Sequence, residues 1–476
     1  MPGRLNVLWL LCLLGACAVG PDYRRPELAV PAAYRFAAAA AENGPAASPW
    51  WTQFADPVLD ALVRAALAGN ADLRMATARL EEYRAIHVAT GGPLYPQVSL
   101  PATLTRSRQG ESPVQTLYQA GLALSWELDF WGRIRRQSEA ARADYLGQAA
   151  ARQAVALSLV GALATSYVQL RELDARLDIA RRTQADRQEE LRLAGARFAN
   201  GQISEMEVKQ AAAENESTLF NVQVLEQMLA RKEHEISLLL GRDPGPVPRG
   251  RSIHELQRPA VPAGLPSDLL GRRPDILLAE QSLVAANARV GAAKASLFPT
   301  ISLTGAYGSA SPELSDLFTG PARTWNFVPG VSLPIFSGGS LLARLGASEA
   351  QREQALAAYD KAIRAAFRET EDALVGVAKT GEQQATQARL LAEVARYARL
   401  ARLRYEAGIT SSLEVLDSQR NLFNAEQGHV QAQSAALVAA IDLYKALGGD
   451  WSALPATAEE AALRHEPGSM ETENGN

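Results

Sequence analysis

Hydrophobic and polar residues alternate along four short segments of the chain, and a period of two predicts β-strands. The segments form two pairs, 95–105 with 119–126 and 298–307 with 327–336. Aromatic residues are concentrated around them, because 11 of the 30 in the chain lie within 95–131 and 298–336. Segments of about ten residues with aromatic side chains near their ends are typical of membrane-spanning strands. The pattern predicts two β-hairpins and leaves soluble and membrane-spanning interpretations open.

Two long stretches are rich in Ala, Leu, Arg, Gln and Glu, which are strong helix formers. Proline is absent from 114–243 and from 335–454. A helix of about 60 residues measures about 90 Å at about 1.5 Å per residue, which exceeds a compact domain. Gly201 and Gly408 interrupt the stretches, and each predicts a helix end, a turn and a returning helix. Each stretch is therefore predicted to form an antiparallel helix pair.

The two halves of the chain match each other at nearly constant offsets. Asp72 and Pro96 recur as Asp275 and Pro299 at an offset of 203, and Gly201 and Glu207 recur as Gly408 and Glu414 at 207. An internal duplication is therefore predicted, in which each copy has a helix, a β-hairpin, a long helix, a turn and a returning helix. The predicted division is a signal peptide 1–16, a lipidated N-terminal segment 17–50, a first repeat 51–241, a linker 242–267, a second repeat 268–449 and a mostly disordered tail 450–476.

The N-terminus has the layout of a secretory signal. Arg4 precedes the apolar run 7–14, and the Leu-Gly-Ala before Cys17 resembles the lipobox of bacterial lipoproteins. We expect cleavage before Cys17 and attachment of lipid to it, with an accidental cysteine after an ordinary signal as the alternative. Cys12 lies in the part to be removed, so no disulfide is predicted. Ala18 fits sorting to the outer membrane.

Charge and motifs argue against nucleic-acid binding and against catalysis. The chain has 48 Lys and Arg against 52 Asp and Glu, a formal net charge of −4. It has no P-loop, dinucleotide fingerprint or nucleophile-elbow motif, and its 5 histidines lack ligand spacing. The Arg-Arg-Pro-Asp run at 272–275 fits the start of a helix, so a structural role is expected. We expect no enzymatic activity, no metal and no cofactor apart from the lipid on Cys17.

Five blocks follow one another along nearly the whole chain. They are WWTQFADPVL at 50–59, SWELDFWG at 125–132, LLGRRPDI at 269–276, FPTISL at 298–303 and LYKALGG at 443–449. In this order they resemble the outer-membrane factor family, the TolC- and OprM-like exit ducts of Gram-negative efflux and secretion systems.

The resemblance implies an α+β membrane protein that is a homotrimer. Each protomer would give four strands to a twelve-stranded outer-membrane β-barrel and its helices to a long periplasmic α-helical barrel with a mixed α/β belt around its middle. The implied function is a passive duct, lipid-anchored in the outer membrane and extending into the periplasm. The implied partners are a periplasmic membrane-fusion adaptor and an inner-membrane transporter of the proton-driven resistance-nodulation-division type.

The resemblance also assigns the two helical turns to a periplasmic tip that narrows to a closed gate. It implies that Glu414 and Asp417 form inward-facing acidic rings that Arg420 can neutralise, since three carboxylates around an axis repel one another. The turns at Gly201 and Gly408 would dock the adaptor, and the gate segments include two further residues, Tyr405 and Glu207.

This chain departs from the family at two gate positions. Thr410 stands where TolC has a gate arginine, and Gln210 occupies the first-copy position that corresponds to Asp417. The ionic latch of the gate is therefore expected to differ, and Glu414, Asp417 and Arg420 could instead only solvate a helix face. A periplasmic adaptor and a lipid-anchored enzyme remain as alternative functions, although the first gives no reason for the strand hairpins and the second lacks a catalytic constellation. The exported substrate is not predicted.

Overall fold

The computed structural model describes residues 18–27, 31–36, 49–259 and 269–449. Five predictions lie wholly or partly outside these residues: the signal peptide, the lipid on Cys17, the N-terminal segment 17–50, the end of the linker and the C-terminal tail. The chain forms two compact units. Within the described residues, the strand unit combines 18–27, 77–150 and 275–362, and the helical unit combines 31–36, 49–76, 151–259, 269–274 and 363–449. The units therefore divide the chain differently from the predicted repeats.

Helices dominate the described residues. They are α1 Pro57–Gly69, α2 Ala71–Gly91, α3 Arg133–Ala199, α4 Glu205–Leu239, α5 Leu269–Arg272, α6 Pro274–Ala295, α7 Ser340–Glu406 and α8 Ser412–Ala446. The strands are β1 Gln97–Ser99, β2 Ala102–Ser107, β3 Gln115–Leu128, β4 Thr300–Ser311 and β5 Arg323–Ser332.

Both predicted helix pairs are confirmed, and they match in length. α3 and α7 have 67 residues each, and α4 and α8 have 35 each. Gly201 and Gly408 follow the long helices with φ of 68° and 70°, a left-handed conformation that glycine adopts most readily. The sequence therefore located both turns correctly.

The five strands form one antiparallel sheet with four strand positions. β1 and β2 lie in line and share one position beside β3, β3 pairs with β4, and β4 pairs with β5. The prediction of one continuous strand over 95–105 was wrong at its centre. Pro101 has no amide hydrogen to donate and interrupts the strand, although its carbonyl accepts from Gly121 N at 3.2 Å. The strand predicted at 327–336 is observed as β5, which begins earlier, at Arg323, and ends before Pro334.

An N-terminal strap, residues 18–27, lies along the strand unit. Its backbone is attached at Val19, whose N–H donates to the Trp131 carbonyl at 3.0 Å. Its side chains are attached through ion pairs of Arg25 with Glu280 and of Asp22 with Arg136. The hydrogen bond from Arg136 lowers the pKa of Asp22. The described chain therefore starts beside the residues that connect β3 to α3.

The helical unit has a core in which Asp56 connects three segments. This carboxylate is 1% exposed and accepts from Val58 N at 2.9 Å, from the Tyr167 hydroxyl at 2.7 Å and from Arg251 N at 2.9 Å. It thereby caps α1, contacts α3 and holds the segment that follows α4. Burial, followed by the bond to Asp56, raises the pKa of Tyr167. The network fixes the first half of the predicted linker.

Arg273 has the structural role that the sequence predicted. It is buried in the helical unit and donates to the Ala446 carbonyl at 2.9 Å and to Glu369 at 2.6 Å. It therefore ties the end of α8 to α7.

One described helix, α3, contains an 18-residue window that is apolar enough to cross a membrane by length and composition. Because 56% of that window is buried inside the protein, and a core helix meets the same criterion, it is only weak support for a helical span.

Candidate functional site

The sheet of the strand unit has one apolar face. The pairing register places Leu122 beside Tyr307 and Tyr307 beside Trp325, and one row further along it places Gly305 beside Phe327. These side chains have no cover in the described structure, since Trp325 is 76% exposed and Phe327 59%. The same face continues through a longer set of mostly apolar residues: Val98, Ala102, Leu104, Tyr118, Leu124, Trp126, Leu128, Ile301, Leu303, Pro329 and Val331.

The opposite face of the sheet is mostly polar or small, and its large apolar exceptions are Leu117, opposite Thr105, and Val328, opposite Thr304. It presents Gln97, Ser99, Thr103, Thr105, Gln119, Ser125, Glu127, Thr300, Ser302, Thr304 and Asn326. At its middle Gly121 pairs with Gly308, and a Cβ on Gly121 would lie 2.5 Å from the Gly308 Cα. A side chain larger than hydrogen would therefore clash with the neighbouring backbone at this point of the sheet.

Two edges of the sheet lack a partner strand in the described part of the chain. One edge is formed by β1 and β2 and the other by β5. Pro329 lies in β5, a position that proline tolerates only at an edge. An exposed apolar face with two free edges is a surface that a soluble monomer avoids, because it favours pairing with other chains.

The turn between α3 and α4 is closed by a capping box. Glu207 accepts from the Ser204 backbone N–H at 2.9 Å and from its hydroxyl at 3.2 Å. The predicted gate residue Glu207 therefore has a structural partner inside its own turn. Arg197, in the last turn of α3, donates to the Tyr405 hydroxyl at 3.0 Å, so the ends of the two long helices are linked.

The turn between α7 and α8 positions Glu414. Its carboxylate accepts from Arg404 Nη1 at 3.1 Å and also from the Thr410 hydroxyl. Thr410 thus hydrogen-bonds to Glu414, one of the predicted gate residues, and the cation that neutralises Glu414 is Arg404. The sequence analysis missed Arg404, although its position in the last turn of a helix was visible.

The other two predicted gate residues do not bind each other. Asp417 accepts from Asn421 Nδ2 at 3.1 Å within α8, whereas Arg420 forms an ion pair with Glu214 of α4. Glu214 was not predicted, because the sequence does not show which face of α4 meets α8. Gln210 lies on the wall of a cavity of about 260 Å³ that Glu207 and Tyr405 also line.

A larger cavity, of about 610 Å³, lies between α3, α8 and the segment that follows α4. Glu426 and His429 line it, together with His254, whose Nδ1 lies 2.8 Å from the Gln433 side-chain oxygen. Burial raises the pKa of Glu426, which Arg182 partly offsets, and burial followed by the charge of His254 lowers the pKa of His429. Among the residues that the structure describes, no group of three or more His, Cys, Asp or Glu side chains could hold a metal ion.

The family model for outer membrane efflux proteins matches residues 62–242 and 265–449. The chain belongs to this family. Its members are transport proteins of the outer membrane, and the family assignment that the sequence blocks suggested is confirmed.

Curated relatives match along almost their whole length. The solvent efflux pump outer membrane protein SrpC of Pseudomonas putida is 37% identical over 467 residues, which is 94% of this chain and 98% of the relative. The cation efflux system protein CusC of Escherichia coli O6:H1 is 36% identical over 458 residues, which is 94% of this chain and 99% of the relative.

Solved structures agree with the fold. The outer-membrane channel OprN has a TM-score of 0.86 and 34% identity, with 91% of this chain and 100% of that chain covered. The open state of the Neisseria gonorrhoeae MtrE outer membrane channel has a TM-score of 0.83 and 30% identity, with 91% and 98% covered.

Proposed function

We propose that the protein is a passive exit duct in the outer membrane of a Gram-negative bacterium, where it forms the last part of a tripartite efflux or secretion system. The observation that carries this proposal is the sheet with its exposed apolar face and two free edges. Unpaired backbone groups are so costly in lipid that a spanning sheet must close on itself. Four strand positions therefore fit a membrane only when several copies pool their strands.

Three copies are the number that suits a duct. Two copies would give eight strands, and side chains fill the interior of a barrel of that size. Three copies would give twelve strands, which leave room for a solute to pass. The polar, small-residue face of the sheet would then line the water-filled interior, and the apolar face would contact lipid. The resemblance to the outer-membrane factor family supports the same homotrimer.

Exposed apolar side chains on the helices support lateral association in the helical unit. On α7 the large exposed side chains include Leu390, Tyr397 and Leu400, and on α4 they include Phe220 and Met228. A surface helix normally turns such a stripe toward a partner. In the proposed trimer these stripes would meet between neighbouring protomers and close the periplasmic helical barrel.

The two turns would form the periplasmic end of the duct. There Glu414, Asp417 and Arg420 would control opening, with Tyr405 and Glu207 among the gate residues, and the turns at Gly201 and Gly408 would dock a periplasmic adaptor. An inner-membrane transporter, of the resistance-nodulation-division type, would supply energy, because the chain has no motif that binds a nucleotide. Lipid on Cys17 would add an anchor in the outer membrane.

The cargo would consist of small molecules, such as drugs and toxic compounds. Relatives are named for the efflux of solvent, of toluene and of cations, so closely similar chains serve different cargoes. Selection is therefore assigned to the pump and not to this duct.

Matched substitutions on the two faces of β3 test the proposal. Wild type should form trimers in detergent and conduct ions in a planar bilayer. Leu122→Arg places a cation on the apolar face and should abolish insertion, because each arginine at mid-membrane costs about 2–4 kcal/mol. Gln119→Arg, three residues away on the polar face, should still insert and shift ion selectivity toward anions.

Two outcomes would contradict the duct, and a third would contradict the assignment of the two faces of the sheet. Wild type that stays soluble and does not conduct would indicate an adaptor, and turnover of a substrate would indicate an enzyme. Equal effects of Leu122→Arg and Gln119→Arg would contradict the assignment of the faces.

A further inference from the structure

The five strands carry only three charged side chains, and their placement is asymmetric. Arg106 lies in β2, Arg323 begins β5, and Glu127 lies near the end of β3. Arg106 pairs with Thr116 and Arg323 with Ser309, positions that belong to the apolar face. Glu127 belongs to the polar face and forms an ion pair with Arg133 at 2.7 Å. Both cations thus lie on the face proposed to contact lipid, and the anion does not.

Both arginines lie at the same end of the sheet, away from the helices. β3 runs from this end toward Leu128 and α3, whereas Arg106 is next to the last residue of β2 before the turn and Arg323 is the first residue of β5 after its turn. Two residues closer to the middle of the sheet, the face carries the pair Tyr307 and Trp325. From the turn end inward the face therefore presents arginine, then aromatic rings, then aliphatic side chains.

Neither arginine is neutralised by the protein. Arg106 and Arg323 are exposed, and within the described residues they form no ion pair or side-chain hydrogen bond. A neighbour, Arg108, is held by a bond from Nε to the Ser112 carbonyl at 3.0 Å inside the turn. β2 and β5 are the two edge strands, so the two guanidinium groups lie at least three strand spacings, about 14 Å, apart. Each of them, unpaired at the end of an apolar surface, forms a site for one anionic group of a molecule that also has hydrocarbon chains.

We infer that Arg106 and Arg323 bind the phosphate groups of glycolipids in the outer leaflet, while Trp325 and Tyr307 lie at the level of the sugar and ester groups. The inference rests on the proposed function, since it requires the apolar face to lie in the outer membrane. Arginine binds phosphate through two parallel N–H···O bonds, and aromatic side chains prefer the boundary between hydrocarbon and water. The turn end of the sheet is then the cell exterior.

Native mass spectrometry of the full-length protein from detergent tests this inference. The probes are bisphosphorylated lipid A and the same lipid after enzymatic removal of its phosphates. Wild type should retain the phosphorylated form about thirtyfold better, as expected when two cations contribute. The double variant Arg106→Gln/Arg323→Gln should lose this preference, and Arg106→Lys/Arg323→Lys should keep part of it because charge remains without the planar fork.

The control removes two exposed cations from helices. Arg79→Gln/Arg396→Gln changes the net charge equally and should leave the preference intact. Loss of preference in this control, equal retention of both lipids by wild type, or full displacement of the lipid by millimolar inorganic phosphate would overturn the inference. Conductance separates the two proposals: if wild type conducts but shows no preference, only the lipid site fails, and if it neither inserts nor conducts, both fail.

Discussion

Single side chains at the α7–α8 turn connect helices that are distant in sequence. Arg420 reaches Glu214 across 206 positions, and Arg197 reaches Tyr405 across 208. Each contact is exposed and therefore individually weak. In the proposed trimer each would occur three times around one opening, so small energies add up at a single place.

Removal of the Arg420–Glu214 pair should open the proposed gate. We expect Arg420→Ala and Glu214→Gln each to raise the frequency of single-channel opening by roughly tenfold to a hundredfold, the effect of three pairs worth about 0.5–1 kcal/mol each. The double variant should not exceed the single ones, because both remove one interaction. Asp417→Ala should also raise conductance, by loosening the turn.

The control for this prediction is Lys209→Ala, which removes an exposed ion pair with Glu205 inside α4. It should leave conductance unchanged. An additive double variant, or an unchanged conductance of Asp417→Ala in an intact trimer, would contradict a gating role.

Titration of His429 should make stability depend on pH. Its pKa is lowered in the folded state, so the unfolded chain binds more protons below about pH 6.5 and stability falls as the pH drops through this region. The thermal midpoint in detergent should therefore decrease between pH 7 and pH 5.5, and His429→Gln should reduce the decrease. His234→Gln, at an exposed position of α4, should not.

Glu426 lines the same cavity and acts in the opposite direction. Its raised pKa makes the folded state bind more protons just above pH 4.5, so its contribution is present at low pH and lost as the pH rises. Measurement in a Glu426→Gln background isolates the histidine. If His429→Gln leaves the change of the thermal midpoint with pH unaltered in this background, the pH dependence belongs to other groups.

Residue types at the candidate site could be predicted from sequence, but their partners could not. The family resemblance nominated Glu414, Asp417 and Arg420, whereas the cations and anions that they contact depend on how each helix is rotated about its axis. Arg404 and Glu214 lie on long helices whose charged residues are spread around the axis, so hydrophobic periodicity gives no register for them.

At the scale of elements, glycine and proline decided where prediction succeeded. Gly201 and Gly408 ended the long helices where expected, because their positive φ excludes most other residues. Pro101 and Pro334 interrupted strands that alternation alone had extended. Alternation describes side-chain faces, whereas proline acts on backbone hydrogen bonds, so alternation alone does not show where a strand ends.

Matched glycine substitutions separate these roles. Gly408→Ala should destabilise the α7–α8 turn by about 1 kcal/mol, because alanine is strained at positive φ. Gly195→Ala, inside α3 with open space around the added Cβ, should stabilise its helix by about 0.5–1 kcal/mol. Hydrogen exchange of the flanking amides measures the change in local stability in each variant. Faster exchange in both variants would contradict the different roles of the two glycines.

At the scale of the whole molecule, association should depend on the apolar stripe of α7. Tyr397→Glu/Leu400→Glu places two charges in that stripe and should shift the detergent-solubilised protein from trimer to monomer in light scattering. Ala388→Glu/Ala392→Glu adds the same charges on another exposed face of α7 and should leave the trimer intact. A trimer that survives both changes would show that the strands alone hold it together.

Fold class was predictable at this scale because two independent features of the sequence agreed. The two-residue period gave the strands, and the long proline-free stretches gave the helix pairs. Neither signal gives a number of copies, since the free edges of the sheet show only where further strands could pair.

The equal lengths of α3 and α7, and of α4 and α8, have a consequence for symmetry. Three copies would present six turns of the same geometry, so the periplasmic rim would have six-fold shape. Its chemistry would have only three-fold symmetry, because Gln210 in one turn region corresponds to Asp417 in the other. A partner that recognised only shape could dock in two rotational settings, and a partner that also recognised charge would be restricted to one.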